Sequence, residues 1–375
     1  MTILDKIYRI REKQVNFIEI GGNYMFNFKM SLFLLLFIGL IINSGYIFAQ
    51  ENYFVSISGN DSNNGVSEST AFRSLNYALN MIKSNQTIKK ILILDNINEN
   101  IDIDNLGLNL VTIEGQSGKK INIQGTDVSG NKRIIRISGD TRILLVNVEI
   151  SNGKGGGISI INGSSVTIGK DVIIANNTVE GFGDDEHRVG AGVFINNGSL
   201  TMQGNAIINN NYSDVVGGGI AVENGKLIMN GNSQITNNTA KNLGGGVYLL
   251  DSSLTMNENS FISNNKAMQS NGNGVVSSGG GIYCNQTCEI TMRNNSSIFE
   301  NISEGHGGGI FLGFLSKLIM YNSSTITKNK SNTRGGGVWL NSQKNQLVQN
   351  SGTISGNIVE GAPAYRVDIY RDSGR

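Results

Sequence analysis

The sequence predicts an all-β chain wound as a parallel β-helix, three strands to a coil, with a short capping helix near the N-terminus. Three observations predict it. A glycine-rich stretch followed by a β-branched residue recurs along the chain, as in Gly217-Gly218-Gly219-Ile220. Successive stretches start 27, 28 or 35 residues apart, a range in which self-similarity means stacked repeats. A second motif, Ile-x-x-Asn, keeps step with the first, and short β-branched runs fill the interval between them.

Composition fits such a backbone and narrows the function. The 375 residues include 49 glycines and a single proline, Pro363. High glycine with almost no proline is not a disordered linker. It suits a chain whose N–H groups nearly all donate to a neighbouring strand. The formal net charge is +1, so no bulk field draws nucleic acid or an anionic membrane. Length alone would suggest two or three domains, but a repeat array need not divide that way. No cofactor is expected, because no helix follows the glycines to make a phosphate-binding loop.

Residues 1–24 carry both charge signs without pattern, as they would if translation began at Met25. Residues 25–49 read as a secretory signal: Lys29 precedes an apolar run from Ser31 to Ile42, and Ala49 offers a small residue for cleavage. An uncleaved membrane anchor is the alternative, although the run is short for a spanning helix.

Residues 50–90 read as the cap of the coil. Phe54, Val55 and Ile57 alternate as a strand, and Gly59 to Gly65 reads as a loop. Ser74 is placed to N-cap a helix with Leu75, Ala78, Leu79 and Ile82 on one face. This passage resembles the opening segment of right-handed parallel β-helix proteins of the pectin-lyase-like class, where a strand and helix close the tube. Ala71 stands where that pattern usually has proline. Residues 91–154 hold strand-length apolar runs, read as irregular coils, with a separate β-domain as the alternative.

Residues 155–357 carry the regular repeats. Their glycine stretches are Gly155–Ile158, Gly190–Val193 (with Ala191 in the middle), Gly217–Ile220, Gly244–Val247, Gly279–Ile282, Gly307–Ile310 and Gly335–Val338. The paired Ile/Asn positions are 174/177, 207/210, 235/238, 262/265, 298/301, 326/329 and 354/357. Stacking the repeats gives one inner column of Ile158, Val193, Ile220, Val247, Ile282, Ile310 and Val338. Another runs Ile168, Met202, Met229, Met256, Met292, Met320. Stacked asparagines can bond along the axis as a ladder. Residues 358–375 would supply one closing strand.

The paired motifs are similar to the Gly-Gly-Ala-[Ile/Leu/Val] and Phe-x-x-Asn repeats of the chlamydial polymorphic membrane protein family, over about Gly155 to Asn357. The resemblance implies a β-helix displayed outside a bacterial cell, often in adhesion. Location is then extracellular, or at the cell surface or outer membrane. Membrane contact would run only through the signal segment or an anchoring partner. Those proteins typically carry a C-terminal membrane barrel. Here only Ile358 to Arg375 follow the repeats, so self-translocation does not carry over.

Candidate sites come from the outward positions. Phe194, Tyr248, Tyr283, Phe311 and Trp339 align into a ribbon of rings suited to sugars or a partner protein. Asp184, Asp185 and Glu186, in a long insertion, could ligate a hard cation, although a solvated charged loop reads as well. Cys284 and Cys288 would close a small disulfide turn if exported, or stay as two thiols. The next outward column holds Glu223 alone among carboxylates, short of the pair that glycoside hydrolysis requires. The expectation is an adhesin-like scaffold binding a glycan or surface protein. A pectin-lyase-like polysaccharide lyase or hydrolase, and a subunit docking through an exposed end, are the alternatives.

Overall fold

The computed structural model describes residues 52–85, 87–107, 110–181, 189–269, 276–360 and 368–372. The expected signal segment and the acidic stretch Asp184 to Glu186 lie outside the described residues. Every paired strand runs parallel to its counterpart one coil along, as in Ile220–Glu223 beside Val247–Leu250. The coil beginning at Gly217 shows the plan. Ile220–Glu223 joins a ten-stranded sheet (sheet 1), and Lys226–Met229 an eleven-stranded sheet (sheet 2). Gln234–Thr236 joins a second ten-stranded sheet (sheet 3). Thr239–Ala240 then adds a fourth strand to the expected three, in a seven-stranded sheet (sheet 4). A two-residue strand is too short to show alternation in a sequence.

Each corner has its own cause. Gly217 has φ +64, a conformation only glycine adopts freely. A Cβ on Gly219 would sit 2.6 Å from the Gly246 carbonyl of the next coil, so the backbones touch there. At the corner after sheet 3 the asparagines form a continuous ladder. Asn238 N–H and Nδ2 both donate to Asn265 Oδ1 at 2.9 and 3.0 Å, and Asn265 repeats the pattern on Asn301. All of these side chains are buried. In the second repeat the ladder member is Asn211, with Ile208 inside, rather than Asn210 and Ile207. Three asparagines in a row follow two isoleucines there, and only pairing with Ile174 fixes which of them turns inward. Asn210 instead takes the left-handed turn, with φ +54. At the far end Asn357 gives both its donors to Asp368 Oδ1, a group that need only accept.

The interior is filled as the repeats predict: the isoleucine–valine and methionine columns pair residue for residue and are fully buried. Residues 91–154 continue the same sheets, with Ile135–Ser138 between Ile101–Asp104 and Ile158–Ile161 in sheet 1. They are therefore coils of this tube and not a separate β-domain. Helix α1, Leu75–Ser84, is capped by the Ser74 hydroxyl and buries Leu75, Ala78, Leu79 and Ile82. Cys284 and Cys288 are joined within the core, where neighbouring coils place Ser252 and Ser316 at the same corner. The closing strand is Ile369–Arg371, added to sheet 1 beside Val338–Leu340.

Candidate functional site

The corner between sheets 1 and 2 carries an open trough of about 650 Å³ parallel to the axis. One residue per coil makes its rim: Asn197, Asn224, Asp251 and Thr287, all in the left-handed region with φ between +42 and +52. Asparagine and aspartate tolerate that conformation best, which is why the sequence places them there. The opposite wall is the start of sheet 2, with Ser199, Lys226, Ser253 and Glu289 in register. Small residues line the floor. Ser252 Oγ accepts from Gly225 N–H at 3.1 Å and donates to the Leu250 carbonyl at 2.6 Å, leaving no bulk above it. Successive strands sit about 4.8 Å apart, so five coils give a polar surface about 20 Å long.

Its charged groups are unspent. Lys226, Asp251 and Glu289 are exposed, and among the described residues none of their side chains has an ion pair or hydrogen bond. Some charged groups elsewhere are engaged, as in Lys266 with Glu304 at 2.8 Å and Lys90 with Glu114 at 2.8 Å. Asp251 and Glu289 come from neighbouring coils, so two carboxylates and one ammonium share a single trough. Inspection of the columns beside the glycines misses them. Asp251 lies in a turn and Glu289 on another sheet; a signal was present in the run of Asn, Asp and Ser at this corner.

The ring column is aligned but not open. Phe194, Ala221, Tyr248, Tyr283, Phe311 and Trp339 pair in register on the outer face of sheet 1. Tyr248 and Tyr283 stack at 5.7 Å, Tyr283 and Phe311 at 4.6 Å, and Phe311 meets Trp339 edge-on at 5.0 Å. Yet Phe194, Tyr248, Phe311 and Trp339 are only 3 to 8% exposed. The expectation of an exposed ribbon is corrected on that point. The residues just before the glycine stretches, Val216, Leu243, Ser278, His306 and Arg334, bridge coil to coil, and Val216 and Leu243 pack against the rings. Tyr283 is half-buried; burial and the adjacent Tyr248 push its hydroxyl up to about 12. His306 lies against Trp339 at 3.6 Å between ring centres, and burial followed by Arg334 pushes its pKa down to about 4.

A second, smaller cavity of about 300 Å³ opens upstream on the same face. Asp102, Arg136 and Ser159 line it on successive coils, with Arg136 Nη1 3.1 Å from Asp102 Oδ1. Arg133 reaches beneath it to the Val189 and Gly190 carbonyls and lies 5.7 Å from the Phe194 ring. Among the described residues no three His, Cys, Asp or Glu side chains are grouped to hold a metal ion.

A parallel tube of this construction, with its functional candidates on the outside, defines a class. The chain belongs to the right-handed β-helix family, whose model, described as right handed beta helix region, matches residues 99–296. Among solved structures it is similar to that of pectate lyase Pel9A, at 16% identity and a TM-score of 0.49, over 84% of this chain and 81% of that one. No curated protein matches it.

Proposed function

We propose that this chain is an extracellular glycan-binding β-helix, an adhesin-like module whose ligand lies in the trough along the corner of sheets 1 and 2. The observation that carries this is the run of polar residues repeated coil by coil from Gly163 to Glu289, with the side chains of Lys226, Asp251 and Glu289 uncommitted among the described residues. Asn, Ser and Thr side chains both donate and accept, as recognition of hydroxyl-rich ligands requires. A rung spacing fixed by the backbone presents them as a rigid array, so little ordering entropy opposes binding. The charges in the trough are mixed and the whole chain is nearly neutral, which favours a glycan over nucleic acid. Export rests on the expected signal in residues 25–49.

The test is calorimetric titration with neutral and acidic oligosaccharides. The paired variant Asn224→Ala with Asp251→Ala should weaken binding about tenfold or more, a loss of about 1.4 kcal/mol. Absence of any carbohydrate binding, or a variant equal to the parent, removes the reading.

A second reading, a glycoside hydrolase, is favoured by one observation: Asp251 and Glu289 on adjacent coils in one trough. Glycoside hydrolysis uses two carboxylates flanking the scissile bond, one giving a proton and one acting as nucleophile or base. Release of reducing ends from a polysaccharide, abolished by both Asp251→Asn and Glu289→Gln, would make the module an enzyme. Binding without release leaves it a binding module.

A further inference from the structure

Resting on that reading, we infer that the trough ends in a sugar-stacking subsite formed by Phe314 and Leu315, which takes one pyranose ring of the bound glycan. The left-handed rim continues one coil past Thr287 to Leu315, with φ +58. Leucine gains nothing there, since the conformation crowds its Cβ and its side chain cannot bond to the local backbone as Asn and Asp do. An aliphatic residue held in that geometry and left 50% exposed has no structural return. Its neighbour Phe314 is 47% exposed, the most exposed aromatic ring among the described residues. Phe194, Tyr248, Phe311 and Trp339 of the sheet 1 column are covered, and this ring is not.

The chain is shaped to place the pair at the trough. Thr287 lines the trough, and its N–H donates to the Phe314 carbonyl at 3.0 Å, so Phe314 lies one rung further along the axis. The sheet 1 strands of these two coils, Ile282–Gln286 and Ile310–Phe314, have five residues where Ile220–Glu223 has four. The added residue carries Phe314 outward. Gly313 permits it, because a Cβ at that position would collide with the Asn285 carbonyl. Lys344 Nζ lies 5.1 Å from the ring centre, yet nearly half the side chain still meets solvent.

The chemistry points to a sugar ring. Polar groups along the trough can satisfy hydroxyls, while the C–H face of a pyranose needs a flat apolar partner. A hydroxyl-reading trough that runs onto a solvent-facing phenyl ring supplies both in the order a linear glycan would meet them. The aliphatic Leu315 beside it widens the platform.

The experiment is calorimetry of the full chain with hexasaccharides of β-glucan, xylan and polygalacturonate. Phe314→Ala, Phe314→Trp and Asp251→Ala are titrated in parallel, and thermal melts confirm that each is folded. For a hexasaccharide that the parent binds, Phe314→Ala should weaken binding about tenfold. Phe314→Trp should restore it and shift its indole emission on titration. If Asp251→Ala weakens binding while Phe314→Ala equals the parent, the subsite falls and the trough stands. If neither variant changes binding, or the parent binds none of the three, the trough reading falls and the subsite with it.

Discussion

Replacing Asn265 by alanine probes the asparagine ladder at its centre. The Asn265 side chain accepts from Asn238 N–H and Nδ2 at 2.9 and 3.0 Å, and donates to the Ile235 carbonyl at 2.9 Å and Asn301 Oδ1 at 2.9 Å. The site is fully buried, so no water replaces what is lost. Truncation orphans the Asn238 N–H and one Asn238 amide proton, while the Ile235 carbonyl keeps its ladder bond from the strand Phe261–Ser263. Leaving a buried polar group unpaired costs about 1–3 kcal/mol, so two should cost about 2–4 kcal/mol with partial relaxation. Asn264 next door is an internal control: exposed, at φ +56, it should accept glycine with a change within about 0.5 kcal/mol. Urea unfolding followed by circular dichroism measures both, read from midpoints at unchanged slope. A loss under about 1 kcal/mol for Asn265→Ala would refute the reasoning, since the ladder would then be incidental to the corner.

Further predictions follow from other parts of the tube. Reducing the Cys284–Cys288 bridge, or replacing both by serine, should cost about 2 kcal/mol, the loop-closure entropy of so short a loop; melts with and without reductant check it. Met229→Ala removes a fully buried side chain from the methionine column and should lose about 2–5 kcal/mol by denaturation. Gly245→Ala should prevent folding or lower the melting temperature sharply, because its Cβ would meet the Lys266 backbone and, at 2.6 Å, the Gly280 carbonyl. His306 has a folded pKa near 4 against an ordinary 6.5, so the native state binds fewer protons than the unfolded chain. Its contribution is complete above about pH 6.5 and is lost as pH falls toward about 4. The melting temperature of the parent should therefore fall more than that of His306→Gln between those limits. Equal falls would contradict the shift.

Much of the fold was legible because its causes are local and repeated. Glycine is needed where Gly217 turns and where Gly219 touches the next coil, and the ladder needs asparagine at each rung. Alternation between these corners fixes which residues fill the tube. Where the sequence lacks contrast, reading failed: in the run from Ile207 to Asn211 several registers look alike, and only pairing with Ile174 chooses. The rings of sheet 1 do face away from the tube, but a second layer through Val216 and Leu243 covers them. No shared residue type announces that layer, because the position is Val216, Leu243, Ser278, His306 and Arg334 in successive coils. The trough escaped for a related reason. Asn197, Asn224, Asp251 and Thr287 sit in turns, and they converge with Lys226 and Glu289 only once coils of different lengths are stacked.

The most direct measurement of the central claim is a hydrogen-exchange footprint of the chain with and without a bound hexasaccharide. Protection should appear at residues 197–199, 224–226, 251–253 and 287–289 and extend to Phe314, leaving sheets 3 and 4 unchanged. Protection confined to the sheet 1 ring column or to sheet 3, with the trough unaffected by a saturating sugar, would contradict it.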